Sequence, residues 1–322
     1  MAEISSLIAP AADWLSRGEV VAIPTETVYG LAGNALDENA VSRVFDAKQR
    51  PRQNPLIVHV AGADRLEEFV THVPENARKL AARFWPGPLT MVLPKSDRIS
   101  LSVTAGQSTV AVRVPDHPLT LALLKELPFP LVAPSANPYG YISPTTAEHV
   151  ERQLGDRIPY ILDGGACKKG IESTIIGFNG ETPVLYRAGS LPIEAIEAVV
   201  GQVEHHKPGQ TDVVTAGMSA SHYAPRTPLY LTHAAATLRL SMPEGRYGLL
   251  SFRQQYDVKG WARQIVLSPS GNLEEAGSHL YEALHLLDES GLDAIIAEFV
   301  PNKGLGEALN DRLRRAAFHI LE

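Results

Sequence analysis

Short apolar runs punctuated by proline and glycine set the rhythm of the chain up to residue 200. Pro10–Arg17, with a first-turn proline and a closing Gly18, predicts a short helix, and VVAIP (20–24) a strand after it. In Asp37–Gln49 the residues Ala40, Val41, Val44 and Phe45 recur at three- and four-residue spacing. That is one face of a helix, with Asp37 as N-cap. PLIVHV (55–60) and LTMVLP (89–94) read as buried strands flanking a Pro74–Arg83 helix. TVAVRVP (109–115) alternates, as a strand with one wet and one dry face does. Pro118–Glu126 and Thr145–Leu154 predict helices; PLVAP (130–134), STIIGF (173–178) and PVLYR (183–187) predict strands. Strand runs that are adjacent as well as helix-separated predict a mixed α/β sheet, not a pure βαβ repeat.

Gly201–Pro228 has little apolar periodicity and reads as an inter-domain linker. Beyond it come strand candidates PLYLT (228–232), YGLLSF (247–252), RQIVLSP (263–269) and LDAIIAEFV (292–300), with helices at Asn272–Ser290 and Gly304–Phe318. This predicts a smaller doubly wound α/β domain. It has no strand-following G-x-G-x-x-G, so the pattern gives no support for nucleotide binding there. The expected division is 1–200, 201–228 and 229–322. No internal repeat is evident.

Composition narrows the class. Of 322 residues 44% are hydrophobic and 20% charged, enough to bury a core and too apolar for wholesale disorder. The net charge of −7 excludes a basic coat for wrapping nucleic acid, though not a local basic patch. A lone Cys167 allows no internal disulfide and no thiolate zinc site, which points to a reducing compartment. The segment MAEISSLIAPAADW lacks the basic flank of a secretory signal, and no run approaches the ~20 apolar residues of a membrane span. A cytoplasmic protein without membrane attachment is expected.

The common catalytic signatures fail: there is no G-x-x-x-x-G-K-[ST], H-E-x-x-H, G-x-S-x-G or EF-hand loop. His205 and His206 read as solvated linker residues, and Asp163-Gly164-Gly165 as a turn rather than a metal site. What remains is a set of polar loops and clustered cations. Pro24–Gly30 (PTETVYG) follows a strand; a turn held by hydroxyl-to-backbone bonds explains it as well as a ligand grip. Arg43, Lys48, Arg50 and Arg52 face a single acid, Asp46. Pro51 disfavours helix at Arg50, so in an extended segment Lys48 and Arg50 face the same way and suit a polyphosphate. Cations complementing a helix C-terminus explain the cluster equally well. Pro134–Gly140 with Ser143-Pro144-Thr145 places hydroxyls and amides after a strand, where capping alone would account for Ser143 and Thr145. Ser173-Thr174-Ile175 and Arg187-Ala188-Gly189-Ser190 complete the set. Arg113 stands alone in its apolar strand, where an arginine more often serves a surface face.

Taken in order, PTETVYGL (24–31), K-x-R-P (48–51) with NPLIVHV (54–60), WPGPLT (85–90), APSAN (133–137) with SPT (143–145), and GIESTI (170–175) resemble the YrdC family. His222-Tyr223-Ala224-Pro225 and the region after it resemble its long, two-domain threonylcarbamoyl-AMP synthase form. The resemblance implies a twisted mixed α/β sheet with a concave basic cleft, a Rossmann-like C-terminal domain, and a linker folding over the active site. It implies synthesis of threonylcarbamoyl-AMP and pyrophosphate from L-threonine, bicarbonate and ATP with Mg²⁺. A partner complex then transfers the group to adenosine 37 of tRNA, giving t6A.

Carried over residue by residue, Lys48 and Arg50 match the basic pair on the triphosphate. Asn54, Thr109, Ser135, Asn137, Ser143, Arg187 and the linker's Tyr223 match ATP-contacting positions. Thr27, His59, Arg113 and Ser173 match positions around threonine, with Arg113 facing its carboxylate. His59 stands for deprotonation of the threonine ammonium or for positioning alone. No metal ligand is implied. Two departures are Tyr139, where the family's second serine is common, and Ala188 in its R-P-G. Two other readings stay open: an RNA-binding module using Arg43–Arg52, which leaves direct tRNA contact open, and a hydrogenase-maturation carbamoyltransferase relative. The last group has longer chains with zinc-finger-like cysteines, which this one lacks.

Overall fold

Residues 1–206 and 222–321 are described by a computed structural model and divide into two units. The first comprises Met1–Tyr139, Pro144–Lys168 and 172–206; the second comprises Gly140–Ser143, Lys169–Ile171 and 222–321. Of the expected linker, 207–221 lie outside the described residues.

In chain order the first unit holds β1 (Glu3–Ser5), α1 (Ile8–Ser16), β2 (Val21–Ile23), β3 (Gly30–Asn34), α2 (Glu38–Lys48), β4 (Ile57–His59), α3 (Glu75–Phe84), β5 (Leu89–Pro94) and α4 (Leu101–Thr104). It continues with β6 (Thr109–Arg113), α5 (Pro118–Glu126), β7 (Leu131–Val132), α6 (Ala147–Leu154), β8 (Tyr160–Leu162), β9 (Thr174–Asn179), β10 (Thr182–Arg187), α7 (Ile193–Val200) and β11 (Glu204–His205). Eleven strands form one mixed sheet in the order β1-β8-β2-β3-β7-β4-β6-β5-β9-β10-β11.

The register explains the core. Gly33, Val132, Val58, Val112, Met91 and Ile176 are successive partners across six strands. From Val132 onward every member of that row is buried in the main apolar cluster, which also takes Val41, Val44 and Phe45 of α2, Leu80 of α3 and Ile196 of α7. Residues one position away face the other side. At the β2–β3–β7–β8 end that side carries Val21, Ala32, Leu131 and Tyr160, packed by Leu15 of α1 and Leu123 of α5. Further along it carries only Ile57, Val92 and Ile175 with half-buried Ala111 and Tyr186, and no helix among the described residues joins that cluster. The helical cover stops part-way along the sheet.

Two elements correct the sequence reading. GLAGN forms β3 in the interior of the sheet, although its glycines argue against a strand. Close packing accounts for them: a Cβ on Gly33 would sit 3.0 Å from Cγ2 of Val44. Lys48 and Arg50 do not share an extended segment. Lys48 is the last residue of α2, which Asp37 caps by accepting from the Asn39 N–H, and Gln49 ends the helix in the left-handed conformation (φ 53°). The chain turns between the two cations, so their directions are set separately. The cap of α6 is likewise Thr146, accepting from His149 N–H, and not Ser143 or Thr145.

The second unit holds β12 (Leu229–Thr232), α8 (Ala235–Ser241), β13 (Tyr247–Ser251), β14 (Trp261–Val266), α9 (Leu273–Asp288), β15 (Ala294–Glu298), α10 (Leu305–Ala316) and β16 (His319–Leu321). Its sheet runs β14-β13-β15-β12-β16 with every pair parallel, the Rossmann-like arrangement expected. Asn272 caps α9, accepting from Glu274 and Glu275 N–H. No described helix is long and apolar enough to cross a membrane.

Candidate active site

Where the helical cover ends, alternation aligns polar side chains on that same face of the sheet. His59 pairs with Arg113, Val92 with Ala111 and Thr90 with Ile175. By the period of two, His59, Thr109, Arg113, Thr90 and Ser173 therefore share one face with Ile57 and Ala111. Four of the sequence candidates lie there: His59, Thr109, Arg113 and Ser173.

Arg113 is buried, against its expectation as a lone strand arginine. Its Nη2 lies 2.7 Å from Oε1 of Glu26, donates to Thr27 Oγ1 at 3.0 Å, and its Nε donates to Gly87 O at 3.3 Å. The loop that brings Glu26 and Thr27 is a hydroxyl-held turn. Thr25 Oγ1 donates to Val28 O at 2.6 Å and accepts from the Thr27 and Val28 N–H groups at 3.1 and 3.2 Å. Its proton being used, Thr27 Oγ1 donates to it at 2.8 Å. Glu26 Oε2 accepts from Asp116 N–H at 3.0 Å. The turn reading and the ligand reading of PTETVYG thus concern different residues: Thr25 builds the turn, and Thr27 meets the guanidinium.

His59 is buried with Nδ1 3.2 Å from Ile57 O. Desolvation, reinforced by the Arg113 charge, lowers its pKa to about 3. It stays neutral at physiological pH, Nδ1–H donating to Ile57 O and Nε2 carrying the lone pair.

On the next strands, Ser173 Oγ lies 2.7 Å from Thr90 Oγ1. Arg187 Nη2 donates to Ser173 O and Oγ at 2.8 and 3.2 Å, and its Nε to Ser173 O at 3.2 Å. Gly189 permits this closeness, since a Cβ there would lie 2.3 Å from the Ser173 carbonyl carbon.

The second group forms around the end of α2. Lys48 is buried, and its Nζ donates to the carbonyls of Ser135 and Asn137, each at 2.5 Å. Burial, with Arg50 adding to it, pushes its pKa well below the usual lysine value. Arg50 donates through Nη2 to Pro55 O at 3.1 Å and through Nε to Asn54 O at 3.3 Å. Tyr139 ties the group together. Its N–H donates to Lys48 O at 2.8 Å, its hydroxyl accepts from Asn54 Nδ2 at 3.1 Å, and its ring lies under the Arg50 guanidinium at 5.9 Å. Lys48, Arg50, Asn54, Ser135 and Asn137 are thus one connected cluster.

Residues 13–189 match the family described as "Telomere recombination", that of Sua5, YciO and YrdC. Residues 191–318 match that described as "Threonylcarbamoyl-AMP synthase, C-terminal domain". The threonylcarbamoyl-AMP synthase of Bacillus subtilis strain 168 is 44% identical over 321 residues, covering 96% of this chain and 92% of that one. This chain belongs to the threonylcarbamoyl-AMP synthase family. The Pyrococcus abyssi synthase is 42% identical over 318 residues, covering 95% and 93% of the two chains. The crystal structure of P. abyssi Sua5 complexed with L-threonine superposes with a TM-score of 0.90 and 39% identity over 100% of this chain and 99% of that one. The chain is thus of the long, two-domain Sua5 form.

Within the family frame, the first unit brings Thr27 to Arg113, Ser173 to Arg187, and Lys48 to Ser135 and Asn137. Ser143 and Tyr223 belong to the second unit. There Ser143 O accepts from His285 Nε2 at 3.2 Å, and the buried Tyr223 adopts φ 64° with its ring 5.2 Å from the Arg312 guanidinium. Sequence reasoning passed over Glu26, Thr90 and Tyr139. Glu26 carried a signal, as the sole carboxylate in a hydroxyl-rich loop. Thr90 lay inside the quoted WPGPLT motif, but its link to Ser173 depends on strand register, which the motif does not show. Tyr139 was noted only as a departure.

Among the described residues no group of three His, Cys, Asp or Glu side chains is placed to hold a metal ion. Asp163 instead closes an Asx turn, accepting from Gly165 N–H at 2.9 Å. His205 is exposed as expected, whereas His206 stacks on Tyr186 with ring centroids 4.8 Å apart. Cys167 is buried, and desolvation pushes its thiol up to about 12, leaving no thiolate for nucleophilic chemistry.

Proposed function

We propose that this chain condenses L-threonine, bicarbonate and Mg²⁺-bound ATP into L-threonylcarbamoyl-AMP and pyrophosphate, the first step of t6A formation at adenosine 37 of tRNA. The observation that carries it is the whole-chain likeness to Sua5 solved with L-threonine. The polar sheet face and the cation cluster supply a physical rationale.

On this reading the threonine carboxylate meets Arg113, with Thr27 and Ser173 beside it. The neutral threonine amine attacks CO₂ derived from bicarbonate, and loss of the amine proton leaves a carbamate. A carbamate oxygen then attacks the α-phosphorus in line, and the bond to the β-phosphate oxygen breaks as pyrophosphate departs. No protein nucleophile is required: positioning alone is worth ~7–11 kcal/mol of barrier, and cations stabilise the departing phosphates. Lys48 and Arg50 supply that charge, and Asn54, Thr109, Ser135, Asn137, Ser143, Arg187 and Tyr223 are assigned to the nucleotide. Mg²⁺ enters with the triphosphate as part of the substrate. His59, neutral and buried, positions threonine; a group with a pKa near 3 is a poor proton acceptor for an ammonium.

We assign 1–200 to the catalytic domain, 229–322 to the C-terminal domain, and to 201–228 the role of shielding the labile product from water. A threonylcarbamoyl-transferring complex that acts on tRNA is the proposed consumer of that product. The proposed compartment is the reducing cytoplasm. The test is pyrophosphate release with threonine, bicarbonate or ATP omitted in turn: release should require all three, and equal turnover without threonine or bicarbonate refutes the reading.

A further inference from the structure

The second unit carries a cavity of about 660 Å³ that belongs to none of the chemistry above. Its walls come from the carboxyl ends of three parallel strands: His233 after β12, Phe252–Gln254 and Tyr256 after β13, and Glu298–Asn302 at and after β15. Asn310 and Arg314 of α10 close it. The position follows from topology. β12 leaves through α8 toward β13, while its neighbour β15 leaves through α10 toward β16, on the opposite side of β12. Connections that leave adjacent parallel strands in opposite directions along the sheet open a crevice at their carboxyl ends, where α/β sheets bind ligands.

The crevice is firmly built. Asn310, buried in α10, accepts from Val300 N–H at 3.0 Å and donates to Val300 O at 2.9 Å, fixing the loop after β15. Ser251 Oγ donates to Gln254 O at 2.6 Å, and Gln264 bonds both the N–H and C=O of Tyr256, fixing the loop after β13.

Its chemistry is specific. Arg253 is exposed, with no hydrogen bond or ion pair among the described residues. Arg314 lies over the Phe299 ring at 5.1 Å, and no described carboxylate pairs with it. The one lining acid, Glu298, accepts from the Tyr256 hydroxyl at 2.7 Å. The lining thus has two arginines and a carboxylate turned to a hydroxyl. Phe252 and the Phe299–His233 stack, with ring centroids 4.3 Å apart, supply flat apolar surface.

We propose that this cavity binds a nucleoside monophosphate, its phosphate held by Arg253 and Arg314, its ribose near Glu298 and Tyr256, and its base against Phe252 and the Phe299–His233 stack. A guanidinium fork suits a phosphate, and both arginines line this one cavity. The cavity falls within the ~300–1,000 Å³ of small-molecule sites, much more than a bare phosphate fills. The site is distinct from the Lys48–Arg50 cluster and does not depend on the activity proposed above.

The test is equilibrium dialysis of the full chain against AMP, counting sites. Arg253→Glu and Arg314→Glu should each lower the number of AMP sites by one relative to wild type. Adenosine, lacking the phosphate, should bind the site lost in Arg253→Glu at least tenfold more weakly. Arg253→Glu should keep threonine-dependent pyrophosphate release. Arg253 is exposed, so this variant carries the test even if Arg314→Glu fails to fold. AMP stoichiometry unchanged by Arg253→Glu, or equal binding of adenosine, overturns the proposal.

Discussion

The guanidinium of Arg113 and the carboxylate of Glu26 lie 2.7 Å apart, each side chain only 5% exposed. The proposed partner of the threonine carboxylate therefore enters the reaction already paired. The pair holds Arg113 in one place, and Thr27 and Gly87 O fix its orientation. Removing one member of such a buried pair leaves an uncompensated charge, at a cost of about 3–5 kcal/mol. Glu26→Gln should lose stability on that scale in urea denaturation; a loss below 1 kcal/mol would show that the pair is not needed to fix the arginine.

Arg113→Ala should raise the threonine KM at least tenfold with little change in the ATP KM. Steady-state kinetics with each substrate varied separates the two. An unchanged threonine dependence removes Arg113 from the carboxylate role.

Lys48 bears on pH. Burial favours its neutral form, whereas a bound triphosphate favours the ammonium. The nucleotide complex then holds more protons than the free protein, so affinity falls as pH rises. Calorimetry in buffers of differing ionisation enthalpy should register proton uptake on nucleotide binding, and Lys48→Met should abolish it together with most of the affinity. Equal uptake in the variant would place the proton elsewhere.

His59 predicts a stability trend of definite sign. Its native pKa is about 3, against about 6.5 unfolded. Between those values the unfolded chain binds the extra proton, so stability falls as pH drops through that window, with a slope of up to ~1.4 kcal/mol per pH unit. His59→Asn should flatten the dependence between pH 6 and 4 in denaturant titrations. The rate profile should show no limb near pH 6.5 that vanishes with this variant.

Gly189→Ala tests the approach of two backbones. The added methyl would meet the Ser173 carbonyl carbon and Thr174 N at 2.3 and 2.4 Å, so the Ser173–Arg187 link must open. A loss of more than 2 kcal/mol with sharply reduced activity is expected. Wild-type behaviour would mean that the link is dispensable.

Much of this architecture was legible in the chain. Apolar spacing located α2, α5, α9 and most strands, because a half-buried element must repeat at 3.6 or 2 residues. Ordered motifs identified the family and its candidate residues. GLAGN escaped because its strand character comes from neighbours that pack against the glycines, and β1 because this largely exposed edge strand, EIS, has no apolar run.

The sequence by itself determined which residues are available: a few cations in an acidic chain, hydroxyl-rich loops, and two α/β regions joined by an aperiodic segment. Only the tertiary structure decided which of them meet. Alternation is local, but register pairs residues far apart in the chain, and it was register that set His59 beside Arg113 and Thr90 beside Ser173. Burial then decided their charge states. Desolvation depends on what packs around a group, so neutral His59, the depressed Lys48 and the inert Cys167 thiol follow from packing and from no motif.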